Sequence, residues 1–221
     1  MASGFHKPGR TKNSLHILAG KYKGTKLASP NLKTTHPMGS REKLALFNML
    51  APYLEGAKVL DYFAGSGALG LEALSRGASS VAFVENNPRA CQIIKDNCKK
   101  CIAGGVNTFF VDILPASKKM YIPDVPDGFA RRAVPSADQR MTFSCETGAT
   151  KKVFTSPAIF DIIISDPPYD DYQVPDYASL LAPGGILALS HPSSFDPKTI
   201  SGLTLLKTNS YAACNISLFT K

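Results

Sequence analysis

Residues 61–70 read DYFAGSGALG and hold the most informative pattern of the chain. The apolar run at 58–63 predicts a strand that ends at this turn, and residues 69–76 predict the helix that follows it. Glycines at the spacing G-x-G-x-x-G permit a tight turn and let a ligand approach the backbone closely. We therefore predict a strand–turn–helix unit with a binding site at the turn. The three glycines are Gly65, Gly67 and Gly70.

Two acidic residues accompany this turn. Glu85 ends the next predicted strand, where a carboxylate can accept hydrogen bonds from both hydroxyls of a ribose. That feature suits any adenosine cofactor, so it leaves NAD and S-adenosylmethionine (SAM) both open. Asp61 lies beside the turn, where its charge would repel a pyrophosphate and attract the ammonium of a methionine moiety. Asp61 therefore favours SAM.

The rest of the body alternates apolar strands with helices. This alternation predicts an α/β fold with a mostly parallel, Rossmann-like sheet that is covered on both faces. Ligands of such sheets bind at the carboxyl ends of the strands. A closing antiparallel pair is predicted at 203–207 and 212–219. The other predicted elements are strands at 80–85, 107–112, 159–165 and 185–189 and a helix from Pro88 to about Lys100.

The strand predicted at 159–165 is followed by Asp166-Pro167-Pro168-Tyr169. Two prolines remove two backbone donors and end the strand abruptly. The Asp166 carboxylate and the Pro167 carbonyl can then accept hydrogen bonds from an exocyclic amino group, and Tyr169 can stack on the base. Two acceptors on one amine direct its lone pair outwards, towards an electrophilic methyl. This is catalysis by positioning.

Together these motifs resemble class I SAM-dependent amino-methyltransferases and, more narrowly, the RsmD-like small-subunit rRNA guanine-N2 methyltransferases. The narrower resemblance also rests on residues 17–27 (ILAGKYKGTKL), 36–50 (HPMGSREKLALFNML) and 61–78 (DYFAGSGALGLEALSRGA). It covers about 15–112 and 159–221. It implies a seven-stranded class I methyltransferase fold with a small N-terminal β-hairpin and helix that bind RNA. The implied reaction is direct SN2 methylation of a guanine N2 in 16S-type rRNA.

The resemblance also implies roles for single positions. The expected catalytic residues, which hold the target base, are Asp166, Pro167, Pro168 and Tyr169. The expected cofactor-binding residues, with Glu85 at the ribose and the last two beside the adenine, are Asp61, Phe63, Ala64, Gly65, Gly67, Glu85, Asn86, Asp112 and Ile113. The expected RNA-binding residues are Lys21, Lys23, Lys26, His36, Arg41 and Lys43. No metal ligand is expected.

The positive charge is concentrated at the N-terminus. Residues 1–60 hold ten of the 25 Lys and Arg but only two of the 17 Asp and Glu, so the whole net charge of +8 lies there. A basic segment on a neutral body suits a polyanionic partner. We predict a flexible basic tail at 1–14, an RNA-binding extension at 15–55 and a methyltransferase domain at 56–221. The domain has an irregular insertion at about 115–157.

The amino-acid composition limits the classes of protein to which this chain can belong. An apolar share of 44% in 221 residues indicates a folded chain, and no apolar run is long enough to cross a bilayer. The N-terminus lacks the apolar core of a signal peptide, and five cysteines are an odd set. We expect a cytoplasmic, monomeric protein whose partner is rRNA, within a small ribosomal subunit or an assembly intermediate. Cys98 and Cys101 are expected to be buried helix residues and not zinc ligands.

Several alternatives stay open. An adenine-N6 methyltransferase acting on DNA or RNA could use the same four catalytic residues, and a ribosome-assembly factor could use the fold only to bind RNA. An NAD-linked oxidoreductase would leave Asp166 to Tyr169 unexplained, and a glutamine-directed protein methyltransferase commonly begins this motif with Asn. His191 is more readily explained as a polar strand end than as a base. Tyr172 and Tyr177 could line the base pocket or pack a helix.

Overall fold

The computed structural model describes residues 15–30, 38–102, 111–114, 143–144, 159–169, 174–212 and 214–221. The predicted tail at 1–14, His36, Tyr172 and most of the predicted insertion at 115–157 lie outside the described residues.

Eight strands form one sheet. They are β1 (Lys58–Tyr62), β2 (Ser80–Val84), β3 (Val111–Leu114), β4 (Phe143–Ser144), β5 (Phe160–Ser165), β6 (Leu181–His191), β7 (Thr204–Ser210) and β8 (Asn215–Thr220). Their order is β4-β3-β2-β1-β5-β6-β8-β7. Neighbours from β4 to β6 pair in parallel, and β8 pairs antiparallel with both β6 and β7.

This architecture confirms the predicted mostly parallel α/β class and the closing antiparallel pair. The described residues form eight strands and not seven, because the two-residue β4 adds an edge strand within the segment that we predicted to be irregular. β3 is described from Val111 onwards, and the first four residues of the predicted strand, 107–110, lie outside the described residues. β6 begins at Leu181 and not at Gly185. Pro183 and Gly184 suggested a turn before β6, but Leu181 already pairs with Phe160 of β5.

The described segments contain four α-helices. They are α1 (Ser40–Leu50), α2 (Ala68–Ser75), α3 (Pro88–Ile102) and α4 (Tyr177–Leu180), with 3-10 turns at Ala51–Tyr53 and Pro197–Thr199. The predicted helices after β1 and β2 are therefore confirmed, with ends shifted by one or two residues. None of these helices is long and apolar enough to span a membrane.

The strands bury alternate side chains on opposite faces of the sheet. One core contains Val59 and Ile162 and is covered by α1, α2, α3 and the N-terminal segment. The other core contains Leu60 and Ile163 and is covered by α4 and the residues around Ile200. The predicted covering of both faces is thus confirmed, and the apolar runs of the central strands follow from it. Cys98 and Cys101 are buried in the first core, as expected.

Gly70 sets the distance between α2 and β2. A Cβ at this position would lie 2.4 Å from Cε1 of Phe83 and 2.7 Å from Cγ1 of Val81, and both side chains are fully buried. We expect Gly70→Ala to lower the free energy of unfolding by about 1–3 kcal/mol, because the helix must move away from the strand. Urea denaturation measures this loss.

Gly56→Ala is the matched control for that variant. Gly56 has φ +72, and no atom of the described residues lies within 4 Å of the position of its Cβ. Alanine there meets only the cost of a left-handed backbone, about 1 kcal/mol. A loss at Gly70 no larger than the loss at Gly56 would contradict close packing as the reason for this glycine.

Candidate functional site

The strand register brings the predicted motifs to one edge of the sheet. Tyr62, the last residue of β1, pairs with Val84 of β2 and with Ser165 of β5. The residues that follow these three positions therefore lie side by side. They are the glycine loop, Glu85 and Asp166, the groups that the sequence singled out.

The glycine loop has an unusual backbone. Phe63 has φ 68, a left-handed conformation that a non-glycine residue rarely adopts, and Gly65 and Gly67 have φ 55 and 75. The amide of Ala64 donates to the carbonyl of Val84 at 3.0 Å, so β2 holds the loop in place. Strained backbone of this kind is concentrated at binding sites. The hydrogen bond to β2 therefore helps to hold the loop in this conformation.

Glu85 binds the glycine loop to the turn after β2. Its Oε2 accepts a hydrogen bond from the amide of Gly65 at 2.7 Å. Its Oε1 accepts from the amides of Asn86 and Asn87 at 2.9 and 2.8 Å. Two carboxylate oxygens can accept about four hydrogen bonds, so capacity for a ribose hydroxyl remains. The ribose role stays a prediction, to which the structure adds a role in holding the loop.

Asp61 is buried at the end of β1 with one oxygen in use. Its Oδ2 accepts from the amide of Gly70 at 2.8 Å, whereas its Oδ1 has no hydrogen-bond partner among the described residues. Burial raises the pKa of Asp61 to about 8, the Gly70 amide opposes this shift, and the charges of Asp166 and Glu85 add to it. A buried acceptor without a donor favours a ligand that brings a cationic donor.

Asp166 and Tyr169 lie directly after β5. Burial raises the pKa of Asp166 to about 6, and a hydrogen bond from Ser190 opposes the shift. Pro167 is buried and Pro168 is exposed. The Tyr169 side chain is 38% exposed, and its hydroxyl lies 2.5 Å from Oγ of Ser190. A carboxylate beside a half-open aromatic ring can hold an amino group and the ring that bears it.

For the two residues predicted to lie beside the adenine, the structure describes only the backbone. Asp112 and Ile113 lie in β3, next to β2, and Ile113 pairs in register with Phe83. The side chains of both lie outside the described part, so their contact with adenine stays a prediction. Asn86 is exposed directly after Glu85.

Two side chains that the sequence left open belong to the core. Tyr177 is 1% exposed, shares a 2.8 Å hydrogen bond with the Ser165 hydroxyl and packs edge-on against Tyr62. His191 is 1% exposed, and its ring nitrogens contact the Pro192 carbonyl and the Ser217 hydroxyl. Tyr177 therefore packs a helix, and His191 is a polar strand end, as preferred from the sequence.

The predicted N-terminal hairpin forms a compact basic turn. His16 and Lys26 form an antiparallel bridge, and the amides of Ile17 and Gly24 donate to the carbonyls of Thr25 and Ile17 at 3.1 and 2.9 Å. Regular strands do not develop in this described segment. Among the described residues of the extension, the exposed basic side chains are Lys21, Lys23, Lys26 and Arg41, all predicted to meet RNA.

Lys43 was wrongly predicted to face RNA. It is only 3% exposed, its Nζ donates to the carbonyl of His16 at 2.9 Å, and that atom lies 3.6 Å from Oε2 of Glu72. Burial lowers the pKa of Lys43, and the charge of Glu72 opposes the shift. The ammonium is thus used inside the protein, where it joins α1 to the hairpin.

Glu72 and Ser75 of α2 fix the extension, and neither was among the residues predicted from the sequence. The fully buried Glu72 accepts from the amides of Leu18 and Ala19 at 2.7 and 2.9 Å. The hydroxyl of Ser75 accepts from the amide of Tyr22 and donates to the carbonyl of Ala19. Polar residues within the apolar run LGLEALS were the available signal. The basic turn is therefore held against the helix that follows the glycine loop.

Asn97 of α3 is a third residue that was not predicted, and it joins the extension to the glycine loop. Its Nδ2 donates to the carbonyls of Ala28 and Ser66 at 2.9 and 3.0 Å, and its Oδ1 accepts from the amide of Ala28 at 2.8 Å. Asn97 is fully buried. The extension and the glycine loop thus share one rigid support.

Two comparisons of sequence bear on the family. Residues 15–120 match the family described as Conserved hypothetical protein 95. The Bacillus subtilis protein YlbH, provisionally named an rRNA methyltransferase, is 28% identical over 214 residues, which cover 94% of this chain and 99% of YlbH. The ribosomal RNA small subunit methyltransferase D of Haemophilus influenzae is 44% identical over 92 residues, which cover 41% of this chain and 48% of that protein.

Solved structures share the fold over nearly the whole chain. The Escherichia coli protein yhhF, provisionally named a methyltransferase, has a TM-score of 0.65 at 22% identity and covers 94% of this chain, with 98% of its own length aligned. A hypothetical protein of Thermus thermophilus has a TM-score of 0.62 at 25% identity, over 92% of this chain and 97% of its own. The fold class and the resemblance expected from the sequence are confirmed.

Proposed function

We propose, on the premise that this chain is of the RsmD-like type over residues 15–120, that it transfers a methyl group from SAM to the exocyclic N2 of a guanine in small-subunit rRNA. The observation that supports this most directly is the position of Asp166 to Tyr169, at the carboxyl end of β5 beside the glycine loop. The relatives' names supply the rRNA class, and the guanine N2 rests on the motif resemblance. We propose a monomer that acts on the small subunit or an assembly intermediate.

The residues at the edge of the sheet fit SAM. The unpartnered Oδ1 of Asp61 suits the methionine ammonium, and the acidic surroundings suit a ligand with two positive charges. Glu85 would hold the ribose, and Asn86, Asp112 and Ile113 would lie on the adenine side. The backbone of Phe63, Ala64, Gly65 and Gly67 would cover the methionine end. Bound SAM supplies an electrophilic methyl on a sulfonium.

The protein's part in the reaction is to position the amine. The Asp166 carboxylate and the Pro167 carbonyl accept hydrogen bonds from the two N–H groups of the guanine amine. The lone pair of the amine nitrogen therefore points away from these two acceptors. Tyr169 stacks on the base and fixes its plane. These contacts align the nitrogen with the methyl carbon for in-line displacement.

Asp166 also stabilises the charge that develops. As the nitrogen gains a methyl group it becomes positive, and the neighbouring carboxylate offsets that charge in a partly buried site. Asp166 then accepts the proton, directly or through water. A carboxyl with a pKa of about 6 is a better proton acceptor than an ordinary Asp and is still ionised near neutral pH.

The exposed lysines of the extension would bind RNA phosphate. We expect Lys21→Ala/Lys23→Ala to weaken rRNA binding and to reduce the slope of log affinity against log salt by about 1–2. The reason is that the variant makes fewer phosphate contacts and therefore releases fewer counterions when it binds. SAM affinity should be unchanged. Filter binding over a series of salt concentrations measures the slope.

Lys198→Ala/Lys207→Ala is the matched control, since it removes two equally exposed lysines outside the extension. We expect its salt slope to stay close to that of the unaltered protein. Equal slopes for the two double variants would contradict the proposed RNA contact at the basic turn.

Methyl transfer itself tests the proposed function. Labelled SAM is supplied with unmodified small ribosomal subunits, with naked 16S-type rRNA and with duplex DNA, and the product nucleoside is identified by mass. N2-methylguanosine from rRNA is the expected product. N6-methyladenine would keep the role of Asp166 and overturn the guanine assignment. SAM binding without transfer to any substrate would contradict the rRNA assignment, and failure to bind SAM would favour a non-enzymatic RNA-binding factor.

A further inference from the structure

We propose that Ser190 is a positioning residue that anchors the ring of Tyr169, so that the ring presents a fixed face to the target base. The inference rests on the proposed function, in which Tyr169 stacks on that base. It adds a residue from β6 to a site otherwise drawn from β1, β2, β3 and β5. Nothing in the motif Asp166 to Tyr169 alone points to this serine.

The register of the sheet places Ser190 beside the motif. Ser165 of β5 pairs with Leu189 of β6, so Asp166 and Ser190 are the next residues on two adjacent parallel strands. Ser190 is 2% exposed, and its Oγ lies 2.5 Å from the Tyr169 hydroxyl. A buried strand residue is held more rigidly than the loop that follows β5. The tyrosine is thus attached at its outer end to the sheet.

Ser190 also lies beside the Asp166 carboxyl, because the two residues follow a register pair of β5 and β6. Its hydroxyl favours the charged carboxylate and so lowers the pKa of Asp166 against the effect of burial. A serine hydroxyl has one proton to donate and an oxygen that can accept, so Ser190 can bond to Tyr169 from the same position.

The bond to Ser190 has a consequence for the base. Tyr169 is 38% exposed, so part of its ring is accessible, and the bond to Ser190 restrains the outer end of the side chain. The bond engages the hydroxyl in the plane of the ring and so occupies neither ring face. Ser190 lies beside both the base acceptor and the base platform, and its bond to Tyr169 limits how the ring can turn relative to Asp166.

A double-mutant cycle in methyl transfer tests the proposal. We expect Ser190→Ala and Tyr169→Phe each to lower kcat/KM for rRNA by about tenfold, because a net hydrogen bond of ordinary strength is lost. SAM affinity should not change. Since both variants break one interaction, the double variant should lose no more than either single one. Additive losses would overturn the proposal.

Two further variants separate positioning from general stability. Ser190→Thr keeps the hydroxyl and should restore most of the activity that Ser190→Ala loses. Ser217→Ala removes another buried serine hydroxyl, from β8, that bonds to His191 and not to Tyr169. It should leave kcat/KM for rRNA close to that of the unaltered protein. Loss of activity in Ser217→Ala equal to that in Ser190→Ala would overturn the proposal.

A readout without rRNA keeps this test distinct from that of the proposed function. With fluorotyrosine incorporated, the ¹⁹F resonance missing from Tyr169→Phe identifies Tyr169. We expect Ser190→Ala to shift that resonance and Ser190→Thr to leave it in place. An unshifted resonance in Ser190→Ala would refute the anchoring whether or not the protein methylates rRNA. A shifted resonance in an inactive protein would keep the anchoring and refute only the proposed function.

Discussion

Asp166→Ala is expected to lower kcat for methyl transfer by about 10²- to 10⁴-fold, the range of a lost general base and charge stabiliser. The variant loses an acceptor for the amine, the charge that offsets the developing positive nitrogen and the proton acceptor. SAM affinity, measured by calorimetry, should change little, because the glycine loop and Asp61 remain. Single-turnover methyl transfer to small subunits measures the loss.

Asp166→Asn and Asp161→Asn complete this test. Asp166→Asn keeps one acceptor oxygen without the charge and should retain more activity than the alanine variant. Asp161 lies at the start of β5, far along the strand from Asp166, and is exposed and accepts from the Lys58 amide. Asp161→Asn should therefore be as active as the unaltered protein. Near-native kcat in Asp166→Ala would refute the proposed mechanism.

The dependence of kcat on pH is a second test of the role of Asp166. Because burial raises the pKa of Asp166 to about 6, kcat should fall about tenfold per pH unit below that value, where the carboxylate becomes protonated. The neighbouring groups that bear on this titration are Asp61 from β1, Tyr169, Ser190 from β6 and Cys214 before β8. A flat profile between pH 5 and 7 would contradict a carboxylate acceptor.

Asp61→Asn is expected to weaken SAM binding about 10- to 100-fold, since a buried partner of a cation is removed. The same variant should raise the stability of the ligand-free protein. Asn can still accept from the Gly70 amide, and it carries no buried charge that lacks a partner. Calorimetry measures the first effect and thermal unfolding the second. Unchanged SAM affinity would contradict the proposed position of the methionine ammonium.

The stabilising effect of Asp61→Asn should depend on pH in a defined direction. The folded-state pKa of Asp61 is raised to about 8 from an ordinary value of 3.8, so the folded protein binds the proton more tightly than the unfolded chain. Stability of the unaltered protein is therefore lost as pH rises from about 4 to about 8. The advantage of Asn should grow over this window, to roughly 1–3 kcal/mol, and stay constant above it.

Local motifs of the sequence predicted the strands and turns that form the site. The glycine spacing and the two prolines at Pro167 and Pro168 fix backbone geometry by themselves, so the ends of β1 and β5 could be located without a structure. Adjacent parallel strands then bring Asp61, Glu85 and Asp166 together. What each carboxylate contacts could not be predicted. Glu85 accepts from Gly65 of another segment, and the spacing of residues 61–70 does not show that Asp61 accepts from the Gly70 amide.

Lys43 shows where sequence reasoning failed. It lies among basic residues that are exposed, and its own helix gives no sign that it differs from Arg41. Its burial is made possible by Glu72, which lies in α2 and is itself surrounded by apolar residues. A buried ion pair is a property of two segments, so neither of them shows it alone.

The attachment of the hairpin to α2 and α3 also determines when the basic surface can form during synthesis. Leu18 bonds to a residue 54 positions later, and Ala28 bonds to one 69 positions later. Contacts of such long sequence separation form only after both partners are available. The N-terminal lysines leave the ribosome first, yet they reach their final arrangement only once Asn97 has emerged. A nascent chain therefore completes its exposed basic turn together with the support of its glycine loop.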